Sequence, residues 1–450
     1  MRALFTPPPA IERLSGSPEE VQTSYRYWRI RQLYTTFIGY AVYYFVRKNI
    51  SVAMPLMEKD LGISKSSLGG FLTLHDLLYG CSKFLNGMLA DRSNPRYFMA
   101  IGLGVSAIIN FVFGFSYAAL TMGIVWMLNG WFQGMGFPPC ARVLSHWFSP
   151  KERGVMWGIW NTSHMVGAAV ILILAGYLGE NYGWRWCFFG PGLIALVISV
   201  FLAVHLRDTP ASVGLGPVEE YTGDTSVPRA DGDEDQSGPE FRAFLRHHVF
   251  ANPYIWLICL GNFFVYVVRY GFLNWAPTYL NQAKHIDLTQ AGAMTAGFEL
   301  AGLVGSLLAG YITDRYLASR RAPVCVVYML GTAAAIFLFW KVPEGSQWLD
   351  SITLLAVGFL IYGPQFLVGV MTADLATKRA AATAIGLTGF FGYLSGVLSG
   401  YGLGKVVETY GWDGGFSLLI ACALASAVAF AFCWNASPRH TGADDDEPQV

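Results

Sequence analysis

Charged residues are scarce in this 450-residue sequence, which is 13% charged and 54% apolar. Ordinary soluble domains carry about a quarter charged residues, so the composition excludes that class. Net charge is also lacking, because 30 basic residues balance 30 acidic ones, and nothing in that balance points to a nucleic-acid partner. The stretch up to Arg31 holds five arginines but no apolar core and no small-residue cleavage site, so we expect no cleaved signal peptide.

Signals for metal, cofactor or enzyme chemistry are also missing. The seven cysteines form no C-x-x-C pair and show no Cys/His metal spacing, and most fall in apolar runs, which indicates small reduced side chains. No Gly-x-x-x-x-Gly-Lys-Ser/Thr phosphate loop occurs. We therefore expect no metal, no cofactor and no enzymatic activity. A catalytic site that uses His164 and Glu299 is disfavoured, because nothing else in the sequence resembles a hydrolytic site.

Long apolar runs, by contrast, are abundant. A helix needs about twenty apolar residues to cross a bilayer, and twelve such runs predict an all-α membrane protein of twelve transmembrane helices. The runs are 33–57, 68–90, 97–115, 119–141, 154–178, 185–205, 254–281, 290–312, 322–340, 349–373, 381–404 and 414–434.

The interval between the sixth and seventh runs predicts a linker. Residues 206–250 mix prolines with acidic side chains, a composition that cannot form a packed core. We therefore divide the chain into a cytoplasmic segment 1–32, a six-helix bundle 33–205, this linker, a second bundle 251–434, and an acidic cytoplasmic tail 435–450.

The two halves share three short motifs, Tyr-x-Val-Arg, Gly-x-x-x-Asp-Arg and Glu-x-Tyr-Gly-Trp, at offsets of 222, 223 and 228 positions. Three matches in the same order at nearly one spacing indicate a duplicated six-helix unit, hence two pseudo-symmetric bundles. The matching pairs are 44–47 with 266–269, 87–92 with 310–315, and 180–184 with 408–412.

The distribution of basic residues predicts the orientation. With both termini inside, the cytoplasmic segments hold 20 of the 30 lysines and arginines, and the external loops hold six. Both termini are therefore expected in the cytoplasm. The Gly-x-x-x-Asp-Arg motifs then lie at the cytoplasmic ends of two spans, where their charges could pair in one conformation and separate in another. The predicted gating residues are Asp91, Arg92, Asp314 and Arg315.

Each repeat has one arginine near the middle of its first span. Arg47 lies in the first span and Arg269 in the seventh, so a pseudo-twofold axis would direct both at one central site. Charged residues there cost about 2.5–3.5 kcal/mol each, which makes them functional candidates. A guanidinium fork matches phosphate oxygens two at a time, although pairing with Glu299 and Asp76 between helices is an alternative role.

The charge balance within the spans favours a phosphate monoester. Such a group carries about −1.5 to −2 near neutral pH. Four basic residues against two acidic ones leave a surplus of about two positive charges, which suits that ligand better than a singly charged carboxylate. The basic residues are Arg47, Lys48, Lys83 and Arg269; the acidic ones, which we assign to charge coupling, are Asp76 and Glu299.

Several residues near the two arginines have two possible roles. Tyr44 and Tyr266 precede each arginine by three residues and could bond phosphate or sugar oxygens, or simply pack. His164 could add charge by taking up a proton, or could be neutral. Lys83 shares a helix face with Asp76 and suits either anion recruitment or a gate ion pair.

His75 and Asp76 are adjacent on one helix, hence about 100° apart. They are therefore expected to be poor partners in a metal site or a catalytic dyad.

The repeated Gly-x-x-x-Asp-Arg motif and the six-plus-six layout resemble the major facilitator superfamily, and five motifs resemble its organophosphate:phosphate antiporters. The resemblance implies that Arg47 and Arg269 bind phosphate, that Lys83 and His164 assist, and that inorganic phosphate is the counter-substrate. Lys48, Gln133 and Tyr393 complete the predicted substrate-binding set. The motifs are Tyr-Tyr-Phe-Val-Arg-Lys-Asn at 43–49, Tyr-Gly-Cys-Ser-Lys-Phe at 79–84, Trp-Phe-Gln-Gly-Met-Gly-Phe-Pro-Pro-Cys at 131–140, Trp-Asn-Thr-Ser-His at 160–164 and Tyr-Val-Val-Arg-Tyr-Gly-Phe-Leu-Asn-Trp at 266–275.

We therefore expect an inner-membrane antiporter that exchanges a sugar phosphate, hexose 6-phosphate first, for inorganic phosphate by alternating access. The alternative is a receptor for external hexose phosphate that signals through a membrane sensor kinase. The stretch 390–405 resembles the hexose-phosphate sensor of the family more than its exchanger.

Overall fold

The computed structural model describes residues 6, 8–14, 17–222, 244–317, 320–376 and 380–436, which form helices and connecting loops without a strand. The helices of the first half that form its crossings are α1 (Pro18–Leu61), α2 (Lys65–Asp91), α3 (Pro95–Phe115), α4 (Ala119–Gln133), α5 (Phe137–Trp147), α6 (Pro150–Asn161), α7 (Ser163–Tyr182) and α8 (Trp186–His205). Those of the second half are α9 (Pro253–Gln282), α10 (Leu288–Tyr316), α11 (Ala322–Lys341), α12 (Gln347–Leu375), α13 (Ala381–Leu394) and α14 (Leu403–Phe432).

These helices account for the twelve predicted crossings, although three crossings are interrupted. The fourth is broken between α4 and α5, where a side chain on Gly134 would collide with Ser82, and one on Gly136 would meet the Tyr43 ring at 3.1 Å. The fifth changes from α6 to α7 at Thr162. In the eleventh, a π-helical segment, Val397–Gly402, joins α13 to α14.

The length and composition of the helices suit a membrane. Eight helical segments of the described residues are long and apolar enough to cross one on those criteria, and the last of them, Thr383–Phe432, contains two of the predicted crossings. α1 and α2 are not among the eight. They carry the buried ionisable residues Arg47, Lys48, His75 and Asp76.

The Glu-x-Tyr-Gly-Trp repeat has the same backbone feature in both halves. Gly183, after α7, has φ = 86°, and Gly411, within α14, has φ = 68°. Positive φ is accessible to glycine but strained for residues with a side chain, so each motif turns the chain before the next crossing. This agreement supports the duplicated unit that the sequence predicts.

Residue contacts divide the chain into two units: Met1–Leu56 with Leu78–Asp231, and Met57–Leu77 with Gly232–Val450. The end of α1 and the beginning of α2 therefore pack with the second half of the sequence.

The start of the predicted linker differs from expectation. Leu206, Leu215 and Val218 are buried in the core of the first unit, and the Tyr221 ring stacks on Tyr25 at 4.4 Å. The prediction of an unpacked segment is wrong for 206–222, because these apolar residues supply contacts that the average composition conceals. Residues 223–243 of the linker and 437–450 of the tail lie outside the described residues.

Candidate functional site

A break in α1 precedes Arg47. Val46 has non-helical angles, φ −99° and ψ 18°, which release its carbonyl from the helical pattern. That carbonyl accepts hydrogen bonds from the side-chain amides of Asn110 (3.2 Å) and Asn129 (2.7 Å). Two neighbouring helices thus fix the backbone immediately before the arginine.

Arg47 lies among aromatic rings in the first unit. Its side chain is buried, 5% exposed, and its Cζ lies 4.0 Å from the centre of the Tyr79 ring and 5.5 Å from that of Tyr44. The Tyr44 ring is in turn 5.6 Å from His164. The structure therefore brings together Arg47, Tyr44 and His164, and adds Tyr79. Lys48, which follows Arg47 in the sequence, is also buried.

Lys83 and Gln133 have different surroundings. The Lys83 amine lies 4.5 Å from the Phe137 ring centre and lines an open cleft of about 420 Å³ that also contains Arg142 and Ser145. Gln133 is buried and donates from Nε2 to Ser106 Oγ at 3.4 Å, so it faces α3.

Arg269, in the second unit, is bound by a tyrosine and a carboxylate. Its Nη2 donates to the Tyr362 hydroxyl at 2.8 Å and lies 3.8 Å from Glu299 Oε1, and the Tyr362 hydroxyl donates to Glu299 Oε2. Glu299 is fully buried. The interhelical pairing that the sequence left open is thus found for Arg269 and Glu299.

One donor of the same guanidinium remains available. Arg269 Nε is buried and has no hydrogen-bond partner among the described residues. An unmet donor on a buried charge is costly unless a ligand completes it. The arrangement can therefore accept an anion oxygen at Nε while Tyr362 holds Nη2.

Four tyrosines surround or adjoin Arg269. Its Cζ lies 4.7 Å from the centre of the Tyr362 ring, 5.4 Å from Tyr270 and 5.9 Å from Tyr266. Tyr393 follows, with its ring 6.4 Å from that of Tyr266. Tyr266 and Tyr393 were predicted from the sequence, whereas Tyr270 and Tyr362 were not. Tyr270 lies beside Arg269 in the motif 266–275, which could have identified it, but Tyr362 had no signal beyond a hydroxyl in an apolar run.

His75 and Asp76 contact each other, which the 100° between their helix positions did not lead us to expect. His75 Nδ1 lies 3.0 Å from Asp76 Oδ1 and both side chains are buried, so the two residues are partners. The 100° between their positions does not prevent this, because side-chain torsions turn the ring nitrogen back toward the carboxylate. Among the described residues, no group of three or more His, Cys, Asp or Glu side chains could hold a metal ion.

The predicted gating residues are only partly described. Asp314 pairs with Arg321, whose Nε is also 3.2 Å from Asp374 Oδ2. Arg92 and Arg315 are exposed. The Asp91 side chain lies outside the described part of the chain.

Comparison with known proteins identifies relatives along almost the whole chain, and residues 36–400 match the Major Facilitator Superfamily. A probable hexose phosphate transport protein of Chlamydia pneumoniae is 40% identical, over 97% of this chain and 98% of that protein. The glycerol-3-phosphate transporter of Bacillus subtilis (strain 168) is 42% identical, over 98% and 99%. The membrane sensor protein UhpC of Escherichia coli (strain K12) is 37% identical, over 97% and 99%.

The fold agrees with a solved transporter structure. A bacterial homolog of the human lysosomal transporter Spinster, in an inward-facing and occupied conformation, superposes with a TM-score of 0.74. The match covers 94% of this chain and 99% of that one at 16% identity, and confirms the predicted fold. The chain is therefore a multi-pass membrane protein of the major facilitator superfamily, and within it belongs to the organophosphate:phosphate antiporter family.

Proposed function

We propose that this protein exchanges a sugar phosphate, with hexose 6-phosphate as the first candidate, for inorganic phosphate by alternating access. We place it in a bacterial inner membrane with both termini in the cytoplasm, as the basic-residue count predicts. Relatives named for hexose phosphate and glycerol 3-phosphate transport support the substrate class. The observation that carries the proposal is the buried Arg269, whose Nε has no partner among the described residues.

In this proposal Glu299 takes the place of the anion when the carrier is empty. Its carboxylate, 3.8 Å from Arg269 Nη2, offsets the buried positive charge. An arriving phosphate would bond Nε and compete with Glu299 for the guanidinium, since both are anionic acceptors that form charge-assisted hydrogen bonds. Binding would thereby be coupled to the charge state of the second unit.

The remaining predicted residues would complete the site. Arg47, against the Tyr79 ring, is proposed as the second phosphate ligand, on the strength of the Tyr-x-Val-Arg repeat. The other proposed roles are added positive charge for Lys48, Lys83 and His164, hydrogen bonding for Tyr44, Tyr266, Tyr393 and Gln133, charge coupling for Asp76, and gating for Asp91, Arg92, Asp314 and Arg315.

Transport in vesicles tests the proposal. Purified protein in vesicles loaded with phosphate should take up labelled glucose 6-phosphate, and unlabelled external phosphate should compete. Unphosphorylated glucose should neither enter nor compete, because it lacks the anion that the arginines require. Uptake of glucose 6-phosphate that does not depend on internal phosphate would contradict exchange.

A receptor is the second candidate, favoured by the 37% identity to a membrane sensor protein. It would bind external hexose phosphate and signal through a membrane sensor kinase, a partner that an exchanger does not need. Tight binding of glucose 6-phosphate without uptake in the same vesicles would favour the receptor. Uptake at rates typical of transport would exclude it as the main activity.

A further inference from the structure

Three arginines meet at the C-terminal end of α8, in the first unit. Their guanidinium groups donate to four successive backbone carbonyls, which are the groups that a helix end leaves without internal partners. The bonds are Arg96 Nε to Ala203 O, Arg207 Nη1 to Val204 O (2.9 Å) and Leu206 O (2.8 Å), and Arg31 Nε to His205 O (3.3 Å).

Aromatic side chains surround this arginine cluster (Arg31, Arg96 and Arg207). The Trp28 ring centre lies 4.8 Å from Arg31 Cζ and 5.7 Å from Arg207 Cζ. Arg31 Nη1 also donates to the Tyr27 hydroxyl at 2.6 Å, and Tyr27 is exposed. Tryptophan and tyrosine concentrate at the level of lipid headgroups, so these rings are typical of a site at a membrane surface.

The cluster carries more positive charge than the helix end needs. A helix C-terminus is equivalent to about half a negative charge, which a single guanidinium would offset. Burial lowers the pKa of Arg207, and the positive charges of Arg96 and Arg31 lower it further. Like charges are thus held together, with a surplus of about two.

No acidic side chain of the described residues forms an ion pair with the cluster. Asp208, the next residue after Arg207, is engaged by Arg142 through two hydrogen bonds of 2.8 and 2.9 Å. Arg29, on the same helix as Arg31, pairs with Glu152. Arg29 and Arg142 thus have carboxylate partners, whereas no described carboxylate offsets the charge of the cluster.

We propose that Arg31, Arg96 and Arg207 bind the phosphate group of an anionic phospholipid headgroup, in the leaflet that the basic-residue count assigns to the cytoplasm. All three side chains are only half-buried, so a headgroup can reach them. One arginine side chain can bond two phosphate oxygens at once, and basic pockets at the ends of membrane helices suit anionic headgroups. Capping of α8 explains the carbonyl bonds but does not require three charges.

Lipid binding to the purified full-length protein tests this site. Retention of phosphatidylglycerol and of phosphatidylcholine with identical acyl chains would be measured by native mass spectrometry. We expect the wild type to retain phosphatidylglycerol preferentially. The double variant Arg31→Gln, Arg207→Gln should bind it more weakly, by about fivefold for each arginine removed. Glutamine keeps a donor for the α8 carbonyls. The matched control is Arg26→Gln with Arg320→Gln, two exposed arginines.

Three outcomes would overturn the proposal: equal retention of both lipids by the wild type, unchanged phosphatidylglycerol binding in the double variant, or an equal loss in the control. If the double variant does not fold, the wild-type protein alone still tests the proposal. Its melting temperature should rise with phosphatidylglycerol but not with phosphatidylcholine, and the difference should vanish in high salt. Inorganic phosphate would stabilise the protein through the proposed transport site as well, so the discriminating measurement is displacement. Loss of bound phosphatidylglycerol on addition of inorganic phosphate, at an ionic strength matched with chloride, would assign the site to free phosphate and overturn the lipid assignment.

Discussion

Lysine in place of Arg47 or Arg269 keeps the positive charge but removes the planar fork of donors. Lysine cannot bond Tyr362 and an anion oxygen from two fixed nitrogens as Arg269 can. We expect phosphate exchange in vesicles to fall at least about tenfold in either variant, about 1.4 kcal/mol or more. Arg320→Lys, at an exposed position, is the control and should exchange normally. Near-normal exchange in either lysine variant would show that the arginine is structural.

Tyr362 offers a test of the bridge between Arg269 and Glu299. Tyr362→Phe removes one hydroxyl that both accepts from Arg269 and donates to Glu299, and leaves the buried carboxylate short of a donor. The expected loss of unfolding free energy is about 1–3 kcal/mol, seen as a lower melting temperature, together with weaker phosphate binding. Tyr311→Phe, on an exposed position of α10, should change neither. A Tyr362→Phe protein with unaltered stability and binding would mean that the bridge is unimportant.

The sequence predicts charged site residues better than neutral ones. Arg47 and Arg269 are recognisable because a charge inside an apolar span is rare and expensive. Tyr79 and Tyr362 are not, because a tyrosine packs in a span with or without a ligand, and only the fold shows which ring contacts a guanidinium. The His75–Asp76 bond was missed because helix geometry fixes backbone positions but not side-chain torsions.

At the scale of helices, a hydroxyl of α2 completes the π-helical segment in the second unit. Thr73 Oγ1 accepts from the Tyr401 N–H at 2.9 Å and donates to the Gly396 carbonyl at 2.8 Å. These two groups are five residues apart, so the hydroxyl stands where a π-helical hydrogen bond would close. A side chain on Gly69 would collide with Gly400, which explains how α2 approaches so closely.

Thr73→Val keeps the shape of the side chain and removes the hydroxyl, so two buried backbone groups lose their partner. We expect a loss of about 1–3 kcal/mol in unfolding free energy, measured as a lower melting temperature, whereas Thr73→Ser should remain close to wild type. Thr278→Val is the matched control, because the buried Thr278 hydroxyl has no hydrogen-bond partner among the described residues. Equal melting temperatures for Thr73→Val and Thr73→Ser would refute the role of the hydroxyl.

The breaks within helices could not be predicted from the sequence for a related reason. Hydropathy reports how apolar a run is, and the runs 119–141, 154–178 and 381–404 are continuous by that measure. Gly134, at one break, lies so close to Ser82 that a side chain there would collide with it, and this closeness is a property of packing. Periodicity therefore predicts the crossings but not their internal breaks.

Across the whole molecule, the two halves share backbone features more closely than they share ion pairs. Gly183 and Gly411 repeat the same left-handed backbone, as the Glu-x-Tyr-Gly-Trp motif implies. Glu299 lies 223 positions after Asp76, which is the offset of the Gly-x-x-x-Asp-Arg motif on the same two helices, so both halves carry a carboxylate there. Glu299 pairs with Arg269, whereas Asp76 contacts His75. The repeat therefore reports the shared fold and the shared carboxylate, but not the side chain with which each carboxylate pairs.

The excess of basic over acidic residues in the spans predicts obligatory exchange. The spans hold Arg47, Lys48, Lys83 and Arg269 against Asp76 and Glu299, and we expect this surplus of about two positive charges to favour a bound anion before the carrier changes conformation. The loaded carrier should therefore reorient while the empty one stalls. About 3 kcal/mol of unrelieved repulsion would slow the empty step roughly a hundredfold.

Efflux from vesicles measures this difference. Labelled phosphate should leave loaded vesicles quickly when unlabelled phosphate or glucose 6-phosphate is outside, and about a hundredfold more slowly into anion-free buffer. Choline chloride or a proton gradient should not replace the external anion, because neither supplies a phosphate oxygen to the arginines. Equal efflux into anion-free buffer would indicate uniport or proton coupling. The surplus charge of the spans would then have to be offset by groups of the protein itself, and the requirement for a bound anion would fail.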